Sequence, residues 1–156
     1  MYYKIDLSNY EPREVPKYQE FTNYNDIKWA QIEILSEELD KFKDSFGNDW
    51  NVKRTGLVAE MWTLVDLRDR LKDGWTFYLV EGGWCFIDWN RKYPYLCNRY
   101  VIPEHRNKGI GSDLVWLRCN EVVKRGYKNA TIMLENWNTP AKSVMKENIF
   151  TEIESI

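Results

Sequence analysis

Between Val101 and Asp113 the chain reads Val-Ile-Pro-Glu-His-Arg-Asn-Lys-Gly-Ile-Gly-Ser-Asp, which sets Arg106, Gly109 and Gly111 at the spacing Arg-x-x-Gly-x-Gly. A β-rich run precedes this segment and a helical pattern follows it. At such a turn the first backbone N–H groups of the helix lack intrahelical partners and point outward, at the positive end of the helix dipole. The glycines remove side chains that would block a close approach, and Arg106 and Lys108 add positive charge. The chemistry on offer is a cradle for a pyrophosphate.

Charge along the chain supports a local anion site. The net charge is −2, yet residues 88–130 carry nine Lys and Arg against four Asp and Glu. A nucleic-acid-binding domain is usually basic throughout, so nucleic acid is not an expected partner. Nor is a membrane, because no stretch approaches the roughly 20 apolar residues that span a bilayer. The start, Met1-Tyr2-Tyr3-Lys4-Ile5-Asp6, lacks the basic and apolar regions of a signal peptide. Cys85, Cys97 and Cys119 are odd in number and widely spaced. That argues against a disulfide framework and for a cytoplasmic location. With His105 alone and no Cys-x-x-Cys pair, no metal is expected.

Two familiar phosphate loops do not fit. A Rossmann turn needs a third glycine where this chain has Leu114, and it follows a parallel βαβ unit. A P-loop needs Gly-Lys-Ser/Thr, which is absent.

The elements around the segment follow from periodicity. Tyr3, Ile5 and Leu7 alternate as a short strand, followed by an irregular stretch through Pro12 and Pro16. Ile32, Leu35, Leu39, Phe42 and Phe46 line one face of a helix that starts near Asn25. A second helix carries Leu57, Met61 and Leu64 and stops at Asp73-Gly74. Trp75–Val80 and Trp84–Trp89 flank Glu81-Gly82-Gly83 as a hairpin. A third strand runs from Tyr95 to Ile102 and completes an antiparallel meander. A helix from Gly109 to Arg125, a buried strand over Ala130–Leu134, and a last helix from Thr139-Pro140 to Glu147 follow.

This order of elements, with Val101-x-Pro103-x-x-Arg106-x-x-Gly109-x-Gly111 and with Asn138-x-x-Ala141 before a helix that ends at Phe150, resembles the GCN5-related N-acetyltransferase (GNAT) family over residues 22–152. The resemblance implies an α+β, three-layer fold: a mixed, mostly antiparallel sheet flanked by helices, with a shortened C-terminus. It implies one acyl-CoA N-acyltransferase-like domain over 1–156, with 1–21 as an N-terminal strand and irregular extension. It implies acetyl-CoA, or another acyl-CoA, as co-substrate. The pyrophosphate loop falls on Arg106, Asn107, Lys108, Gly109, Ile110, Gly111 and Ser112. Backbone groups around Val101 and Ile102 pair with pantetheine and polarise the thioester carbonyl, and Asn138 contacts CoA. The acceptor is a primary amine on a small molecule or peptide, which attacks directly.

The sequence also departs from the family. Met145 stands where the family often has a Tyr that protonates the leaving thiolate, and a thioether donates no proton. The family's general base, on the strand before the loop, falls on Tyr95 or Cys97, neither a carboxylate nor a histidine. Asp88, Glu81 and Glu104 are the nearby carboxylates, and Asp88 joins Tyr95 and Cys97 as a catalytic candidate. These departures leave a second expectation, a CoA-binding protein with little or no turnover. The chain ends six residues past Phe150, where the family adds one or two strands. The expectation is an open acceptor side, or one filled by the first 20 residues or by a second subunit. An exposed sheet edge favours pairing, so a homodimer is also expected.

Aromatic residues make up 15% of the chain, with 8 Trp, 10 Tyr and 6 Phe. Many fall on the meander: Trp75, Phe77, Tyr78, Trp84, Phe86, Trp89, Tyr93, Tyr95 and Tyr100. Most are expected in the core, with some lining an acceptor cleft for an amine that has an apolar or cationic body.

Overall fold

The computed structural model describes residues 1–27, 64–101, 103–134 and 148–156. The expected helix through Ile32–Phe46, the first part of the next one, and the helix from Thr139 to Glu147 lie outside the described residues, as do Ile102, Asn138 and Met145. The chain divides into two compact units, one of residues 1–20 with 76–156 and one of residues Phe21–Trp75.

Seven strands form one sheet. They are β1 (Tyr2–Asp6), β2 (Tyr18–Phe21), β3 (Thr76–Val80), β4 (Gly83–Asp88), β5 (Tyr95–Val101), β6 (Asn129–Met133) and β7 (Phe150–Ile153). Their order is β2-β3-β4-β5-β6-β1-β7; β5 and β6 run parallel, while β3 with β4, β4 with β5, and β1 with both β6 and β7 are antiparallel. The described helices are α1 (Leu64–Lys72), in the second unit, and α2 (Ile110–Lys124), in the first. The expected mixed, mostly antiparallel sheet with helices is therefore what the chain forms.

The hairpin of β3 and β4 closes where expected, with Val80 opposite Gly83. Gly82 turns it at φ 82°, and a Cβ there would lie 2.6 Å from the His105 ring. Only a glycine meets both demands. His105 thus packs the loop before α2 onto the hairpin.

α2 carries the core of the larger unit. Leu114, Val115, Leu117 and Val122 have no exposed surface, and they pack with Ile5, Tyr78, Ile87, Leu96 and Ile132 from five strands. These residues alternate along their strands, so one sheet face is buried against α2. The opposite face of the meander holds a second aromatic cluster, Phe77, Trp84, Phe86 and Tyr100, with ring centroids 5.0–6.1 Å apart. All four are nearly inaccessible. These four rings are core, as expected for most of the meander aromatics.

The first 20 residues supply an inner strand next to one end of the sheet. β1 inserts between β6 and β7 and pairs antiparallel with both, Ile5 lying opposite Ala130 on one side and Phe150 on the other. β7 itself, Phe150–Ile153, is a strand where the sequence was expected to stop short of one. The stretch after Leu7 then crosses α2. Tyr10 Oη donates to Asn120 Oδ1 at 2.6 Å, Asn120 Nδ2 donates to the Arg13 carbonyl at 2.7 Å, and the Arg13 guanidinium lies 3.7 Å from the Trp116 ring centroid.

In the smaller unit, α1 buries Leu67 and Leu71, one turn apart. It ends with Trp75 N–H donating to Arg70 O and Gly74 N–H to Leu71 O, the hydrogen-bond pair of a Schellman stop. A 3-10 turn over Tyr24–Asp26 is capped by Asn23, whose side chain accepts from Asn25 N.

Candidate acyl-donor site

β5 has two unlike flanks. Toward β4 it pairs along its whole length, from Tyr95 opposite Asp88 to Val101 opposite Gly83. Toward β6 the pairing covers only Tyr95 with Thr131 and Leu96 with Ile132. Past Leu96 the ladder ends, and among the described residues the two parallel strands part like the sides of a wedge.

A bulge marks the parting. Cys85 pairs with Arg99 and Phe86 with Cys97, so Asn98 is an extra residue in β5, at φ 44°. Asn tolerates the left-handed region better than other non-glycine residues, and a bulge of this kind bends and twists the strand that carries it. The sequence reading missed this position. Its signal was an Asn inside a run of strand formers.

The bulge sits on two arginines, one buried and one half-buried. Arg118, in the middle of α2 and 1% exposed, donates from Nη1 to Phe86 O at 3.1 Å and to Cys97 O at 2.9 Å, and from Nε to Leu114 O at 3.0 Å. Arg99 Nη1 donates to Gly111 O at 2.9 Å and ties β5 to the first turn of α2. Burial, and then the charge of Arg118, pulls the Arg99 pKa down to about 10. Arg99 remains cationic at neutral pH.

The loop that leaves β5 has the expected character. Asn107 and Gly109 are left-handed, at φ 64° and 83°. Gly109 is the N-cap of α2, no side chain caps it, and its Cβ position is open space. The first helical bond of α2 comes from Asp113 N–H to Gly109 O at 3.0 Å. The helix therefore starts without the side-chain oxygen that usually satisfies an early N–H, at its positive end. Lys108 and Gly109 are exposed, and Ile110, Gly111 and Ser112 are half-buried. Arg106 does more than add charge: its Nε donates to Val101 O at 3.1 Å and its guanidinium stands 5.7 Å from the Tyr100 ring centroid. It anchors the loop on the end of β5 and occupies the carbonyl of Val101, whose backbone was expected to pair with a ligand.

The candidates Asp88, Tyr95 and Cys97 lie together where β4 pairs with β5, Asp88 opposite Tyr95. Asp88 Oδ1 accepts from Asn90 N at 2.9 Å and Oδ2 from Arg91 Nε at 3.2 Å. Both oxygens serve the turn after β4. Cys97 is buried, and burial pushes its thiol well above the usual range. Burial likewise raises the Tyr95 phenol, with Cys97 adding to the effect. Both shifts run against a group that must give up its proton at neutral pH. Among the described residues no group of three or more His, Cys, Asp or Glu is placed to hold a metal ion, and no helix is long and apolar enough to cross a membrane.

Residues 41–148 match the model of the acetyltransferase (GNAT) family. The chain belongs to this family. Solved structures share the fold at low identity. A functionally unknown conserved protein from Staphylococcus epidermidis superposes with a TM-score of 0.60 at 14% identity, over 96% of this chain and 56% of its own. This chain thus spans little more than half of that relative. PaiA N-acetyltransferase from Thermoplasma acidophilum, in complex with coenzyme A, gives 0.56 at 14% identity over 85% of this chain and 88% of its own. An aminoglycoside acetyltransferase from an uncultured soil metagenomic sample, in complex with sisomicin, gives 0.53 at 15% identity over 90% and 91%. No protein of curated function matches the chain in sequence.

Proposed function

We propose that this GNAT protein transfers an acetyl group from acetyl-CoA to a primary amine of a small molecule or peptide. The observation that carries the reading is the uncapped N-terminus of α2, set behind left-handed Asn107 and Gly109 at the open end of the β5–β6 wedge. The pyrophosphate would take the N–H groups from Gly109 to Ser112, with Lys108 adding charge. Pantetheine would run along the open edge of β5 toward its end at Val101, and the family resemblance gives Ile102 and Asn138 contacts with CoA. The related fold holding coenzyme A supports this assignment.

In the reaction a neutral amine attacks the thioester carbonyl carbon and its electrons move onto oxygen. The carbonyl re-forms as the CoA thiolate leaves, and the nitrogen gives up a proton. Backbone N–H donors at the open edge stabilise the oxyanion, and the wedge fixes the angle of attack. Asp88 and Cys97 supply no base, so water carries the proton away.

That engagement of Asp88 and Cys97 favours one second reading, an acyl-CoA-binding protein without turnover. Release of free CoA thiol across a panel of primary amines separates the two. Amine-dependent release supports transfer. Thermal protection by acetyl-CoA with no release for any amine supports binding alone, and the absence of both overturns both readings.

A further inference from the structure

We infer that Arg118 is a positioning residue, whose buried guanidinium grips the carbonyls of Phe86 and Cys97 to hold the Asn98 bulge and, through it, the open edge of β5. The inference rests on the acyl-transfer reading only for its consequence in rate. Its structural part stands on the geometry alone.

Arg118 follows Leu114 by four residues and precedes Val122 by four, so it lies on the apolar face of α2 that meets the sheet. An unpaired buried cation is costly, and a hydrophobic residue of similar volume would usually be at least as stable there. Among the described residues no carboxylate pairs with this one, and each hydrogen bond it makes to them goes to a backbone carbonyl. Two of those carbonyls belong to the pair Phe86 and Cys97, beside the point where the β4–β5 register slips. A bulge disrupts the local ladder, and the planar guanidinium puts donors on two strands at once. Arg99 extends the same frame to Gly111 O, in the turn expected to hold phosphate. Arg118 touches neither the loop nor the open edge. It fixes the strand between them, and a displacement of about 1 Å at a reacting centre lowers a rate by about 10²-fold.

The test compares Arg118→Met and Arg118→Lys with Val122→Ala, which thins the same helix core without touching the bulge. Backbone amide exchange over Cys97–Arg99 reads the bulge with no substrate present. Met is expected to speed that exchange at least tenfold relative to the rest of β5, and Lys less. Val122→Ala is expected to leave the ratio unchanged. In turnover, Met is expected to lower kcat about 10²-fold with KM for acetyl-CoA within threefold, and Lys about tenfold. A folded Met variant with unchanged exchange at Cys97–Arg99, or with kcat within twofold of the parent, overturns the inference. If the Met variant does not fold, the same limits apply to the Lys variant. If the parent protein turns over no amine, the exchange ratio alone decides, so failure of the acyl-transfer reading and failure of this one are distinguishable.

Discussion

The two flanks of β5 are made from the same seven residues and do opposite things. The β4 flank is closed from Tyr95 to Val101, and Gly83 at its end has Tyr100 O only 2.9 Å from where a Cβ would sit. The β6 flank closes for two residues and then opens. One strand can do both because Asn98 inserts a residue and Arg118 and Arg99 hold the result from the helix side. A site for a ligand that pairs with backbone needs a strand edge that the sheet leaves off its ladder and still holds rigid. Here the rigidity comes from the closed flank and from Arg118 and Arg99, and the exposure comes from the parting of β6.

Alkaline pH tests the closed flank with the largest expected effect. Burial raises the Cys85 thiol from 9.0 to about 11 and Cys119 from 9.0 to about 12, and raises the Tyr78 and Tyr95 phenols as well. The folded chain keeps these protons after the unfolded chain has lost them. Stability present below pH 9 is therefore lost as the pH rises from 9 to 11, by about 3 kcal/mol from Cys85 alone. Arg99 works the other way, since its lowered pKa favours the folded state above pH 10, but it is one group against several. Chemical denaturation at pH 8 and pH 10.5 reads the difference. A flat profile would mean that the thiols and phenols are not buried as described.

The open flank breaks next. Gly109→Glu places a carboxylate at the uncapped start of α2 and is expected to weaken acetyl-CoA binding at least 10²-fold, read by thermal protection. Unchanged protection would move the phosphate site elsewhere. Gly83→Ala sharpens the contrast from the other side. Its Cβ meets Tyr100 O at 2.9 Å and Ile110 Cγ2 at 3.2 Å. It should cost about 2 kcal/mol in denaturant titration, leaving residual protection by acetyl-CoA in the folded fraction.

These two glycines also show what the sequence could convey. Gly109 was legible because its function is local: a strand, a glycine turn and a helix dipole lie within a dozen residues. The β3–β4 hairpin was legible for the same reason, through Glu81-Gly82-Gly83. The place of β1 was not, because pairing with Ala130 and Phe150 joins residues more than 120 positions apart. β2 and β7, four residues each, gave too few alternations to register as strands. The Asn98 bulge hid in a continuous strand pattern. Arg118 was legible in principle, since a cation four residues from Leu114 and from Val122 stands inside the apolar stripe. Asp88, Tyr95 and Cys97 meet where β4 pairs with β5, but both Asp88 oxygens serve a turn and the Cys97 thiol is buried.

The smallest expected effect is a negative one. Asp88→Asn removes a carboxylate whose oxygens already serve Asn90 and Arg91. It should cost about 1 kcal/mol of stability and leave kcat for the best amine within about threefold. A loss beyond a hundredfold would return Asp88 to the catalytic machinery.

Amide hydrogen exchange with and without acetyl-CoA tests the contrast between the flanks most directly. The account predicts slowed exchange at the open edge of β5, over Cys97–Val101, and at the start of α2, over Gly109–Ser112, with β3 and β4 unchanged. Slowing confined to other segments, or none at saturating acetyl-CoA, would contradict it.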